Sequence, residues 1–126
     1  MYLLDTNAVI GLLYNPSILS KRAHDVMINN ADALFVSMVT PWEITIKRSI
    51  GKIDVDDNAS DILDLCDEYG LELLNITRNH IDELGKLPLI HRDPFDRLLI
   101  AQAIYENMTI VTKDLIIPKY SVEVIG

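Results

Sequence analysis

Pro94-Phe95-Asp96-Arg97-Leu98-Leu99-Ile100-Ala101-Gln102-Ala103-Ile104-Tyr105-Glu106, followed two residues later by Thr109-Ile110-Val111-Thr112, decides how this chain folds. Leu98, Leu99, Ala101, Ala103 and Ile104 leave only a narrow polar edge at Arg97, Gln102 and Glu106, which describes a helix buried on most of its circumference. Asp93 before Pro94 suits an N-cap with proline at the first helical position. The four residues from Thr109 favour a strand. A buried helix leading into a short strand is part of a crossover connection, and crossovers build parallel sheets.

Working outward, the same alternation recurs. Met1 to Asp5, Ala33 to Met38, Leu71 to Ile76 and Val122 to Ile125 read as further strands, bounded by Gly, Asn, Thr or charged residues. Ile18 to Asn29, Pro41 to Ile50 and Ala59 to Tyr69 carry apolar residues three and four apart, and a shorter helix covers Arg78 to Gly85. The expected fold is α/β, three layers with helices on both faces of a central, mostly parallel five-stranded sheet. Asp54 to Ser60 is long enough only for a loop, and residues 1–126 are expected to form a single domain.

Composition narrows the classes. The N-terminus lacks a basic leader and no apolar run approaches a membrane span, so a cytoplasmic protein without membrane partners is expected. Cys66 is the only cysteine; it fits a packing position on its helix better than a reactive thiol. Eleven Lys plus Arg against 19 Asp plus Glu give a net charge of −8, which opposes nucleic-acid binding through a general basic surface. Bound divalent cations among clustered acids would reverse that field locally.

Ligands of open α/β sheets bind beyond the carboxyl ends of the strands. Asp5 follows the first strand, Glu43 lies just past the second, Asp96 opens the last long helix and Asp114 follows Thr109–Thr112. Four carboxylates suffice for one or two hard cations such as Mg2+ or Mn2+, which in a phosphodiester complex activate water and stabilise the leaving oxygen. Each acid also has a local role open to it. Thr40-Pro41-Trp42-Glu43 reads as a capping box, Asp93 caps its helix, Asp96 favours the positive end of the helix dipole, Asp5 suits an Asx-turn with Thr6-Asn7, and Asp114 suits a solvated turn.

Taken together, Leu3-Leu4-Asp5-Thr6-Asn7, Val36-Ser37 with Trp42-Glu43-Ile44, Asp93-Pro94-Phe95-Asp96-Arg97-Leu98-Leu99-Ile100-Ala101-Gln102-Ala103 and Ile110-Val111-Thr112-Lys113-Asp114 resemble the PIN-domain family, most closely the VapC-type toxins of toxin–antitoxin pairs. The resemblance implies a Mg2+- or Mn2+-dependent endoribonuclease with a catalytic and metal-binding quartet at Asp5, Glu43, Asp96 and Asp114. It implies a possible fifth acid at Asp93, and a supporting layer of Thr6, Asn7 and Thr112. An RNA substrate, a cognate antitoxin and a homodimer follow as expected partners. The stretch Asp54 to His80 carries no motif of the family.

Lys47, Arg48, Lys52, Arg92 and Arg97 are the candidate RNA-binding cations; a solvated helix end accounts equally for Lys47 and Arg48. His91 has the chemistry of a general acid, but in a loop before an N-cap it is expected at the surface, and Trp42, which could stack on a base, is expected at the edge of the core. The rival reading is a PIN-like module that binds metal or protein without cutting RNA. A phosphotransfer receiver would need an acidic pair near Asp5, and an Asp-x-Asp phosphatase a second acid where Asn7 stands.

Overall fold

Leu3 and Leu4 are both fully buried, on opposite faces of the first strand, and that alternation organises the molecule. The computed structural model describes residues 1–126. Its strands are β1 (Tyr2–Leu4), β2 (Leu34–Ser37), β3 (Glu72–Leu74), β4 (Thr109–Val111) and β5 (Val124–Ile125). They form one sheet of order β3-β2-β1-β4-β5, with every pair parallel. The sheet is thus wholly rather than mostly parallel. β1 sits at its centre, with Leu4 level with Val36 on one side and Val111 on the other.

The helices are α1 (Thr6–Leu13), α2 (Lys21–Asn29), α3 (Val39–Ser49), α4 (Ala59–Glu68), α5 (Arg78–Lys86) and α6 (Pro94–Glu106), with 3-10 turns at Pro16–Ile18 and Ile117–Lys119. One core cluster packs Leu4, Val36 and Val111 against Val9, Met27 and Ile62. The other packs Leu3 and Ile110 against Leu99, Ile100 and Ile117. Helices therefore cover both faces, the three-layer arrangement expected. Val39 of α3 joins the second cluster and Ile44 the first, so α3 spans the carboxyl edge and ties the layers together.

Three local readings need correction. No helix was expected in Thr6–Leu13, yet Asp5 is its N-cap, accepting from the Ala8 amide at 2.8 Å. The predicted Ile18–Asn29 helix starts at Lys21, where Ser20 caps the Ala23 amide at 2.9 Å. The capping box at Thr40 is absent because α3 begins earlier, with Ser37 Oγ accepting from the Val39 amide at 3.0 Å. A capping box does form on α5, between Thr77 and His80.

Gln102 also departs from expectation: placed on the polar edge of α6 by the sequence pattern, it is fully buried. Its side-chain oxygen accepts from Ser37 Oγ at 2.5 Å, and its nitrogen reaches His80 Nδ1 at 3.3 Å. Asn107 then stops α6 in the left-handed conformation at φ 57°, a role to which asparagine is suited.

Candidate active site

The chain runs from β1 outward to β2 and β3, then crosses back to place β4 on the other flank of β1. The connections leaving β1 and β4 therefore diverge, and a crevice opens between them at the carboxyl ends. Asp5, directly after β1, and Asp114, just after β4, both line it. Glu43 from α3, Asp96 from the first turn of α6 and its N-cap Asp93 complete a polar cleft of about 510 Å³, shared with Thr6, Asn7, Lys47, Lys52 and Lys113. Segments far apart in sequence thus converge on one cavity.

Each acid is held by named partners. Besides the Ala8 amide, Asp5 has the Thr112 hydroxyl, and it is only 6% exposed. Burial pushes its carboxyl up to about 6, against those two hydrogen bonds and with help from the charges of Glu43 and Asp114. Glu43 is buried; its Oε1 accepts from Thr6 Oγ1 and its Oε2 from Lys47 Nζ, each at 2.5 Å. Thr6 Oγ1 in turn lies 3.2 Å from Thr40 Oγ1, so Thr40 braces the site instead of capping its own helix.

Asp96 is pushed up to about 7 by burial, then by Asp93 and Glu43, with His91 opposing and Asp114 adding. Asp93 Oδ1 caps α6 through the amides of Phe95 and Asp96, while its Oδ2 accepts from Lys47 at 3.2 Å. Asp114 behaves differently. Burial would raise it, but the hydrogen bond from His91 and the amides of Ile116 and Ile117 outweigh that and hold it below the usual carboxylate value.

His91 is the residue that sequence reasoning misplaced, expecting it at the surface. It is 7% exposed, and its Nε2 stands 3.1 Å from Oδ2 of both Asp96 and Asp114. These three side chains form the tightest group of possible cation ligands, their donor atoms all within 4.8 Å of one another. Its position five residues before Asp96 was the only signal available, because nothing local revealed that the loop turns inward.

The basic residues divide. Lys47 lies inside the cleft, its charge reinforced by Glu43 and Asp93 despite burial, and it passes 5.8 Å from the Phe95 ring. Lys52 lines the rim. Arg48 instead donates to the carbonyls of Val55 and Asp57, and Arg97 to Pro88 O and Tyr120 Oη. Arg92 is exposed. Trp42 stacks edge-on against Phe95 at 4.8 Å while remaining 49% exposed.

The donor set suits a hard divalent ion. Five carboxylates (Asp5, Glu43, Asp93, Asp96 and Asp114) meet with Lys47 as the only ammonium paired to any of them, and burial raises the carboxyls of Asp5 and Asp96. Such crowding is costly unless cations or protons neutralise it. Oxygen-rich, partly buried sets of this kind fit Mg2+ or Mn2+ better than softer ions.

Fold and cleft together define a parallel α/β protein with an acidic centre at the switch point of its sheet. The sequence profile of the PIN domain matches residues 2–123, and the chain belongs to the PIN-domain family, whose members are generally nucleases. No curated protein matches the sequence. Among solved structures, the chain is similar to VapBC2 from Rickettsia felis bound to a promoter DNA fragment, with 17% identity, TM-score 0.70 and coverage of 98% of this chain and 96% of that one. It is also similar to VapBC-1 from nontypeable Haemophilus influenzae, with 17% identity, TM-score 0.67 and coverage of 99% and 96%. A DNA-bound VapBC from Salmonella typhimurium gives 16% identity, TM-score 0.68 and coverage of 98% and 96%.

Proposed function

We propose that this protein is a Mg2+- or Mn2+-dependent endoribonuclease, the toxin of a toxin–antitoxin pair. The observation that carries the reading is the convergence of Asp5, Glu43, Asp96 and Asp114 from separate segments on one cleft, with Asp93 beside them. One or two bound ions would supply Lewis acidity, activating a water for in-line attack on a phosphodiester and neutralising its charge, and leaving a 5′-phosphate.

The protein's own groups do the rest. Asp5, Glu43, Asp96 and Asp114 hold the ions, with Asp93 as an outer ligand or cap. Thr6 and Thr112 orient Glu43 and Asp5, and Asn7 faces the cleft beside them. Lys47 keeps Glu43 and Asp93 from repelling incoming phosphate, while Lys52 at the cleft rim offers a contact to the RNA backbone; Lys113 instead donates to the Ile18 carbonyl. The chain's net charge of −8 offers no general basic surface for RNA, which confines binding to this locality, and it suits a basic antitoxin segment. The likeness to solved VapBC complexes supports an antitoxin partner, and a homodimer is proposed with it.

The test is cleavage of single-stranded and structured RNA with Mg2+, Mn2+ or EDTA, beside an Asp5→Asn variant shown by circular dichroism to be folded. Metal-dependent cleavage that disappears in the variant supports the reading. Equal inactivity of both proteins, or equal activity in EDTA, overturns it in favour of a non-catalytic binding module.

A further inference from the structure

The His91 imidazole faces two carboxylates through one nitrogen and a backbone amide through the other. The Asp93 N–H donates to Nδ1 at 3.1 Å. An amide can only donate, so Nδ1 presents a lone pair and the ring proton of the neutral imidazole lies on Nε2. That N–H points at Asp114 Oδ2, and Asp96 Oδ2 is equally close at 3.1 Å.

The ring has little freedom to turn. Tyr120 Oη, itself buried, accepts from the amides of Ile90 at 3.1 Å and His91 at 2.7 Å, and from Arg97 at 3.2 Å. This hydroxyl staples the loop carrying His91 to the start of α6. Asp114 is restrained too: its Oδ1 accepts from the amides of Ile116 at 2.7 Å and Ile117 at 3.0 Å. Two donors on Oδ1 and one on Oδ2 leave a single lone pair, on Oδ2, open toward the cleft.

We infer that His91 is a positioning residue and not a metal ligand: its Nε2–H donates to Asp114 while Asp96 Oδ2 stands 3.1 Å from the same nitrogen, which sets the spacing of the two carboxylates so that the cation site is built from oxygen alone. An Nε2 that carries the proton has no lone pair for a cation, and moving the proton to Nδ1 would set it against the Asp93 amide. Asp114 then meets an ion through one oxygen at most, directly or through water. This inference rests on the metal-dependent reading above and adds what selects the ion.

The experiment uses the full chain. Imidazole 15N NMR of His91 is recorded without and with saturating Mg2+, and Mn2+ affinity is measured by electron paramagnetic resonance for wild type, His91→Phe and His91→Gln, each checked by circular dichroism. The expected spectrum shows protonated Nε2 and bare Nδ1 both before and after Mg2+. His91→Phe weakens Mn2+ binding about 10- to 100-fold, the usual loss when a partner of a ligating group is removed. His91→Gln, whose side-chain amide restores an N–H donor, recovers most of that affinity.

Loss of the Nε2 proton on adding Mg2+ overturns the inference by making His91 a ligand, a result that wild type alone delivers even if both variants unfold. Unchanged affinity in folded His91→Phe, or a folded glutamine variant no better than phenylalanine, overturns it as well. If wild type binds Mn2+ and cuts RNA while the phenylalanine variant matches it, only this inference falls. A wild type that neither binds Mn2+ nor cuts RNA overturns both readings.

Discussion

Asp96 sits in the first turn of α6 with its carboxyl pushed up to about 7, so folding and chemistry pull on it in opposite directions. A carboxyl raised from 3.8 favours the folded state while protonated; that contribution is complete below pH 3.8 and is lost as pH rises through about 7. Asp96→Asn keeps the neutral form at every pH. Urea unfolding of the metal-free variant should therefore show a gain on the order of 1–2 kcal/mol at pH 8 and none at pH 4, while metal-dependent cleavage is lost. Cys66, buried on α4 as the sequence implied, has its thiol pushed up to about 11 by burial. Thiol reagents at pH 8 should label it only as fast as the protein unfolds, and rapid labelling of native protein would contradict that burial.

At the scale of elements, the helices with a clear polar face were legible, and the exception shows why. Thr6-Asn7-Ala8-Val9-Ile10-Gly11-Leu12-Leu13 is apolar around nearly its whole circumference, so no 3.6-residue phase marks it as α1. Only the sheet beneath it and the Asp5 cap make it a helix. α5 is the converse case, polar in sequence yet anchored by fully buried His80, whose Nδ1 accepts from the Thr77 amide at 3.1 Å and whose Nε2 meets Glu106 at 2.9 Å. His80→Ala removes the cap bond and the Glu106 bond together and leaves a void beside Gln102. It should cost about 2–4 kcal/mol, read as a lower urea midpoint with an unchanged m-value.

Across the whole molecule, the acids at the carboxyl edge make stability depend on pH and on cations together. Asp5 at about 6 and Asp96 at about 7 stabilise the fold while protonated and lose that contribution as pH rises through those values. Asp114, held below 3.8, acts the other way: its contribution is present above pH 3.8 and lost as pH falls through its folded value. Metal-free protein should accordingly melt highest between about pH 4 and 6 and lower at pH 8. Mg2+ at a hundred times its Kd should recover about 2.7 kcal/mol at pH 8, and should recover less at pH 5, where protons compete for the same oxygens. A melting temperature independent of Mg2+ at pH 8 would contradict the metal site. The alternation of buried helix and short strand determined the layered α/β class from sequence alone, because burial periodicity is a local property of the chain. The acids at strand ends and helix starts were legible for the same reason: cap and turn chemistry act within a few residues. The inward turn of His91, the diversion of Thr40 and Thr6 to bracing Glu43, the burial of Gln102 and the engagement of Arg48 and Arg97 by backbone carbonyls were decided only in three dimensions. His91, Thr40, Thr6 and Gln102 depend on partners more than twenty residues away, brought close by the packing of α3 and α6 across the carboxyl edge of the sheet, and the two arginines meet carbonyls seven to nine residues away across turns that no local pattern marks.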